Sequence, residues 1–435
     1  MNNQKRTFST LLLSLLTLVT LSFSLTYQVE DLKAQTIEDD FIYYFPFFIN
    51  KFDILASTSY YLPTTDPAFL YNLGCEHGQR DLLEPDAQDS VVVLNFSYPV
   101  YTPELGFGAA LFEDNPYIPT NPASIASIEA GVKGYAAGYY HCSGDDTTSN
   151  LVIGVGTNNK STSIKTIEKT TAHGAAWSAM LSNINQWAVK EGIYHQVQAY
   201  GANNIEVGWN TPELTRAWIA GFEQTGENFL LHFGDASGCP YEDNPYWVCN
   251  NGWDLEDLWY ASWGAPSALP LPLIYLNNGV HAKQWAYLSQ YSVAEHGYRM
   301  DFTGVFTQFQ YCEQWGDASW SSCETTDNTP EEAYLQLISE LNKYPTTAQG
   351  LRWKTDIRWV FENEVSISNP DGEGSGDISH PIYQQIDQLQ IALGSPDLST
   401  ALQASLEFKL KISDSIALMI EVSRANPAPK NITVD

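Results

Sequence analysis

The sequence predicts an α/β chain folded as a TIM-like (β/α) barrel with a C-terminal extension, and three observations carry that prediction. Between residues 90 and 364, short apolar runs alternate with segments of helical period, a pattern that implies a parallel sheet covered by helices. Each run ends in a polar cluster, as strands do where a barrel's loops begin. No G-x-G-x-x-G follows the first run and no G-x-x-x-x-G-K-[ST] occurs anywhere, so the open nucleotide-binding sheets lose their main support.

The runs are residues 91–96 (VVVLNF), 151–155 (LVIGV), 196–199 leading to 205–207, 228–233 (NFLLHF), 271–276 (LPLIYL), 302–307 (FTGVFT) and 355–361 (TDIRWVF). Their length and their β-branched and aromatic content suit strands. Helical segments fall between them at 124–140, 172–190, 213–224, 255–263, 280–295 and 331–341. Thr211-Pro212-Glu213 and Thr329-Pro330-Glu331-Glu332 each place Thr at the N-cap, Pro at the first helical position and acid in the first turn. Seven runs stand where a closed barrel needs eight, which leaves room for an irregular or incomplete ring.

Upstream, Lys5 and Arg6 precede an uncharged apolar run at 11–25 (LLLSLLTLVTLSFSL), and Ser22-Phe23-Ser24 offers a small-x-small cleavage site. Residues 1–24 therefore read as a signal peptide, shorter than a spanning helix. Residues 25–89, including the apolar 41–49 (FIYYFPFFI), read as an N-terminal extension packing on the barrel. Downstream, 365–380 is an acidic Gly/Ser linker and 381–435 a C-terminal extension. In that extension Leu402, Leu406, Leu410, Ile416 and Ile420 recur at helical spacing, while Leu406, Phe408, Leu410 and Ile412 alternate with Glu407, Lys409 and Lys411 as a strand would. It is read as helical.

Composition narrows the partners. With 435 residues, 21 Lys+Arg against 51 Asp+Glu and a formal charge of −30, the chain lacks the basic surface that binds nucleic acid or anionic membrane. Its 44% hydrophobic content is that of a folded chain. The six cysteines fall into two local pairs, Cys239-Cys249 and Cys312-Cys323, which leaves Cys75-Cys142 as the third; disulfides agree with a secreted, extracytoplasmic location and no stable membrane span. No H-E-x-x-H, G-x-S-x-G or cofactor motif occurs, and Glu76-His77 reads as a buried polar contact rather than a metal site. Residues 371–382 mimic a calcium loop, but Ile382 stands where the bidentate Glu belongs.

Polar residues at the strand ends are the candidates for chemistry: Asn95, Tyr98, Thr157, Asn158, Asn159, Asn203, Asn204, Glu206, Asp235, Tyr275, Thr307, Gln308 and Asp356. Amides donate and accept at once, as recognition of sugar hydroxyls requires, so Asn158, Asn204 and Gln308, with Tyr275, are candidate contacts to a carbohydrate or cell-wall glycan. Trp209, Trp253, Trp263 and Trp315 offer flat faces for sugar rings. Glu206, in GANNIEVGWN, sits among apolar and aromatic neighbours that raise a carboxyl's pKa toward the range of a general acid; it can equally accept hydrogen bonds from the Asn-rich loop. Asp235, in FGDASG at the next strand end, is the natural second carboxylate, and a turn or cap role is its alternative.

The tripeptide Asn204-Ile205-Glu206 resembles the strand-end D-x-E of glycoside hydrolases such as family 25 lysozymes and family 18 chitinases, and GANNIEVGWN, FGDASGCP and PLPLIYL resemble secreted bacterial proteins with a glycoside-hydrolase-like barrel. The resemblance implies a barrel acting on glycans with Glu206 as general acid. Asn204 departs from the Asp of those families, so a catalytically silent glycan-binding or cell-surface structural module is the alternative.

Overall fold

A computed structural model of the chain describes residues 55–360, apart from 113–120, 145, 147, 161–162, 225–227, 237, 241–243, 245 and 316–322, together with 410–413, 416–418, 420–422 and 432–434. The signal-peptide segment, residues 41–49 and the linker at 365–380 lie outside the described residues. Eight strands line up along the chain: β1 Ser57–Tyr61, β2 Asp89–Asn95, β3 Asn150–Asn158, β4 Val197–Asn204, β5 Leu230–His232, β6 Ala268–Pro270, β7 Gly304–Thr307 and β8 Trp353–Trp359. They form one parallel sheet in the order β7-β8-β1-β2-β3-β4-β5-β6. The ring is nearly closed. At its seam Leu273, just past β6, bridges Phe306 of β7, and Ile274 N donates to the Phe306 carbonyl at 2.8 Å.

Helices connect the strands: α1 Pro67–Leu83, α2 Ile125–Cys142, α3 Ile167–Glu191, α4 Pro212–Glu223, α5 Leu255–Trp259, α6 Val280–His296, and α7 Phe309–Trp315 with α8 Pro330–Leu341 before β8. The two Thr-Pro signals work as their chemistry requires. Thr211 accepts from Leu214 N, and Thr329 closes a capping box with Glu332. Where α1 crosses α2, Gly74 and Gly138 bring the backbones together, since a Cβ at either would meet a carbonyl oxygen at 2.0 Å. The Cys75–Cys142 disulfide joins the same two helices, with Cα atoms 4.9 Å apart; Cys239–Cys249 and Cys312–Cys323, at 5.1 and 5.5 Å, close loops beyond β5 and β7.

Two expectations are corrected. The barrel does not start near residue 90, because β1 pairs in parallel with both β8 and β2, and with α1 it forms the first β/α unit. Residues 57–83 are thus part of the ring and not an extension packed on it. The strand escaped notice because STSYY carries no apolar run: its Ser59 hydroxyl meets Thr355 Oγ1 at 2.7 Å and accepts from Val93 N at 2.8 Å, pairings made only across the ring. In the C-terminal unit, residues 361–435, the described residues form strands where a helix was expected. Leu410–Ser413 pairs antiparallel with Ile416–Leu418, and Ile420–Val422 with Ile432–Val434. There the two-residue alternation of Lys409-Leu410-Lys411-Ile412 and the β-branched content outweigh the leucine spacing.

Between β2 and α2 an antiparallel insert (Tyr98–Thr102, Gly106–Ala110 and Ala123–Ser124) leaves the ring through Ser97, a non-glycine residue at φ 73°. His173 of α3 holds the insert through its Nε2 on the Gly108 carbonyl at 3.0 Å, while Trp218 Nε1 donates to its Nδ1 at 2.9 Å. Inside the ring, Val91, Val93, Val152, Ala202, Leu231, Phe233, Leu271, Leu273, Phe306, Trp353 and Ile357 form the apolar core. Burial of each large member contributes roughly 1.5–3 kcal/mol.

Candidate active site

Side chains alternate faces along a strand, so the rows that send Val93, Ala202, Phe233, Leu273 and Phe306 into the core send Asn95, Asn204, Asp235, Tyr275 and Gln308 to the level above it. The mouth of the barrel is therefore polar by the same periodicity that makes its centre apolar. Tyr61 and Asn95 are register partners on β1 and β2, as are Asn158 and Asn204 on β3 and β4.

Glu206 and Asp235 follow β4 and β5, and Gly234 brings them side by side. A Cβ on Gly234 would lie 2.1 Å from the Ile205 carbonyl oxygen, so only glycine lets the two backbones touch. The next residue on each chain is the carboxylic acid. The backbone of Glu206 is gripped by Asn159, whose Oδ1 accepts from Glu206 N at 3.2 Å and whose Nδ2 donates to the Glu206 carbonyl at 3.1 Å. Asn210 Nδ2 in turn donates to the Asn159 carbonyl at 2.8 Å, and Trp253 Nε1 and Asn251 Nδ2 to the Asn210 carbonyl at 2.8 Å each.

Burial, and next the charge of Asp235, push the Glu206 carboxyl up to about 9, against the smaller opposing effects of an Asn204 side-chain hydrogen bond and of Lys160. Glu206 is consequently protonated at neutral pH. Asp235 is 3% exposed and accepts from the Tyr275 hydroxyl at 2.9 Å; His281 Nε2, at the start of α6, lies 3.8 Å from the same oxygen. Burial holds the His281 imidazole below its ordinary pKa, and burial and then Asp235 raise the Tyr275 phenol, so both face Asp235 as neutral groups. A proton-bearing Glu206 carboxyl thus stands beyond β4 while Asp235, beyond the next strand, is held by a phenol. Proton donation by one and base or nucleophile chemistry by the other are within the reach of this pair.

The remaining predicted residues divide. Asn204 hydrogen-bonds Glu206, and its Oδ1 is buried without a partner. Trp209 lies in the turn that Glu206 begins, its N–H donating to the Glu206 carbonyl at 3.1 Å. Asn158 Oδ1 accepts from Lys160 N at 3.0 Å and turns the chain out of β3, and Gln308 Nε2 donates to the Thr326 carbonyl at 3.4 Å. Asn159 and Asn210 spend their amides on backbone. Trp253, 1% exposed, offers no stacking face, and the side chain of Trp315 lies outside the described residues. Asp356 is a helix cap: it accepts from Thr307 Oγ1 at 2.5 Å and from Phe309 N and Gln310 N at 2.8 Å each. His77 makes the expected polar contacts, to Tyr135 OH at 3.0 Å and Asp81 at 3.5 Å.

Tyr61, Lys160 and His281 lie near Glu206 or Asp235 and were missed. Tyr61 went with its unrecognised strand, and Lys160 and His281 reach the mouth from loops and a helix start that no local pattern marks. Among the described residues no group of three or more His, Cys, Asp or Glu is placed to hold a metal ion, and no helix is long and apolar enough to cross a membrane.

No family model and no curated protein matches the sequence. A solved structure named "Glycoside hydrolase" overlays with a TM-score of 0.32 at 12% identity, covering 87% of this chain and 76% of that one, a likeness too loose to bear on fold or activity.

Proposed function

We propose that the chain is an exported glycoside hydrolase in which Glu206 is the general acid and Asp235 the second carboxylate. The observation that supports it is the half-buried Glu206 at the barrel mouth, its carboxyl pushed up to about 9 by burial and by the charge of Asp235, where Gly234 packs on the Ile205 backbone. In the proposed reaction Glu206 gives its proton to the glycosidic oxygen as the bond to the anomeric carbon breaks. Asp235 either takes a proton from the water that attacks this carbon, or attacks it directly and is released by water in a second step. Tyr275 holds the Asp235 oxygen, Asn204 Oδ1 accepts a sugar hydroxyl, Asn158 and Gln308 line the mouth, and Trp209 offers a stacking face. Three disulfides accord with an oxidising compartment, and the N-terminal apolar run with export.

Turnover of chitin, peptidoglycan and plant or algal polysaccharides by wild type and Glu206→Gln tests the reading. Activity equal in both proteins removes Glu206 from the mechanism. NMR of the first anomer released separates inversion from retention.

One observation favours a second reading, a glycan-binding or cell-surface structural module without turnover: Asn204 stands where the D-x-E hydrolases carry an acid. It predicts glycan binding that survives Glu206→Gln, with no hydrolysis by either protein.

A further inference from the structure

We propose that the mouth recognises a carboxylate-bearing glycan, with Lys160 as the residue that reads the acid group; the inference rests on the glycan-directed reading above. Lys160 lies two residues past β3 and is half-buried. Its Nζ stands 5.7 Å from the centroid of the Tyr98 ring and 5.6 Å from that of Trp209, between the residue that opens the insert after β2 and the turn that carries Glu206. Its charge reaches Glu206 itself, where it opposes the effects of burial and Asp235.

The environment of this lysine differs from that of the ion-paired cations. Lys133, Arg216, Lys343 and Arg352 each pair with a carboxylate, as is expected where acids outnumber bases. Lys160 has no such partner among the described residues. Two aromatic rings flank its ammonium, and no described carboxylate lies within ion-pair distance of it. Cation–π contacts attract a cation but do not neutralise it. The next two lysines along the chain, Lys165 and Lys169, are exposed, and Lys169 stands 4.7 Å over Tyr101 of the insert.

The formal charge of −30 would repel an anionic ligand at long range. Screening decides otherwise at the mouth. At physiological ionic strength the Debye length is about 8 Å, so a ligand seated there responds to Lys160 and hardly to the far surface. A protonated Glu206 adds no charge against a substrate acid, which leaves Asp235 as the only anion of the pair facing Lys160. A neutral sugar would leave the ammonium unmatched, whereas a uronic acid or another carboxylated sugar would complete it.

The test uses isothermal titration of the full chain, as Glu206→Gln to prevent turnover. The probes are oligosaccharides of galacturonate, mannuronate and hyaluronan, each beside its carboxyl-reduced form, with chitin and glucan oligomers as neutral references. The expected result is that the tightest ligand carries a carboxylate and loses at least about tenfold in affinity on reduction. Adding Lys160→Met should erase that difference while leaving the reduced form's affinity unchanged, and Lys160→Arg should keep it. Equal affinity for acidic and reduced partners, or a preference that survives Lys160→Met, overturns the role of Lys160 while the glycan reading stands. Binding of no oligosaccharide of either kind overturns both. Circular dichroism and Tm of each variant confirm that the fold is retained.

Discussion

Two carboxyls on opposite sides of the barrel mouth, Asp356 buried and Glu206 half-buried, teach how a site differs from a scaffold. Asp356 within β8 and Glu206 beyond β4 are both raised in pKa, and burial is the main cause for each. Asp356 spends both oxygens on Thr307 Oγ1 and on two backbone N–H groups at the start of α7. Such donors are fixed by the fold, and a carboxylate that satisfies them is committed to it. Glu206 has Asn204 as its side-chain partner and a carboxylate for a neighbour, which disfavours ionisation and leaves its proton available. Burial alone therefore says little about function, and the donors that meet the buried oxygens say much.

The comparison can be broken by exchanging one feature at a time. The largest effect is expected from Glu206→Gln, which should lower turnover on a glycan substrate by roughly 10²–10⁴-fold while the protein stays folded. Activity retained in this variant would make Glu206 another scaffold carboxyl. The reverse is expected of Asp356→Asn. Its amide nitrogen would face the N–H of Gln310 or Phe309, at a cost to stability of about 2–3 kcal/mol by chemical denaturation, and any catalytic change should follow from unfolding.

A third prediction uses pH. The folded chain keeps a proton on Glu206 that the unfolded chain releases above the ordinary value of 4.5, so this residue makes stability fall as pH rises from there to about 9, with no further loss beyond. Glu206→Gln should accordingly raise Tm relative to wild type, more at pH 8 than at pH 5, and wild-type activity should be lost as pH climbs through about 9. A Tm difference independent of pH would contradict the protonated state. The smallest effect is expected from Tyr275→Phe. Losing the phenol that holds Asp235 should reduce turnover roughly ten- to a hundredfold, in line with the ~1.5–3 kcal/mol of one hydrogen bond to a charged group, with little change in Tm.

Much of the fold was legible because its causes are local. The helices over Pro212–Glu223 and Pro330–Leu341 start where a Thr-Pro-Glu signal places them, and the apolar runs mark β2 to β5, β7 and β8, while β6, Ala268–Pro270, lies just ahead of the run at 271–276. Where the local signal was weak the reading failed: β1 hides in STSYY because its serines are satisfied by Thr355 and Val93 from neighbouring strands. The C-terminal strands were lost to a leucine spacing that suits a helix equally well. Of the candidate site, Glu206, Asp235, Tyr275 and Asn204 were visible as polar residues at strand ends. That Asp356 is a cap and that Asn159 and Asn210 bind backbone was not, because identical side chains serve either role according to what lies opposite.

The sequence by itself determined the alternation of strand and helix, the polar layer above an apolar one, the pairing of cysteines and the candidate acids, since each follows from periodicity, spacing or composition along the chain. Only the tertiary structure decided that Gly234, past β5, packs on Ile205 next to the two acids, that Tyr275 and His281 face one of them, and that rings 111 residues apart, Tyr98 and Trp209, flank Lys160, whose charge reaches the other. Those contacts join segments distant along the chain, and their energies depend on separations of a few ångströms that the closing of the ring alone sets.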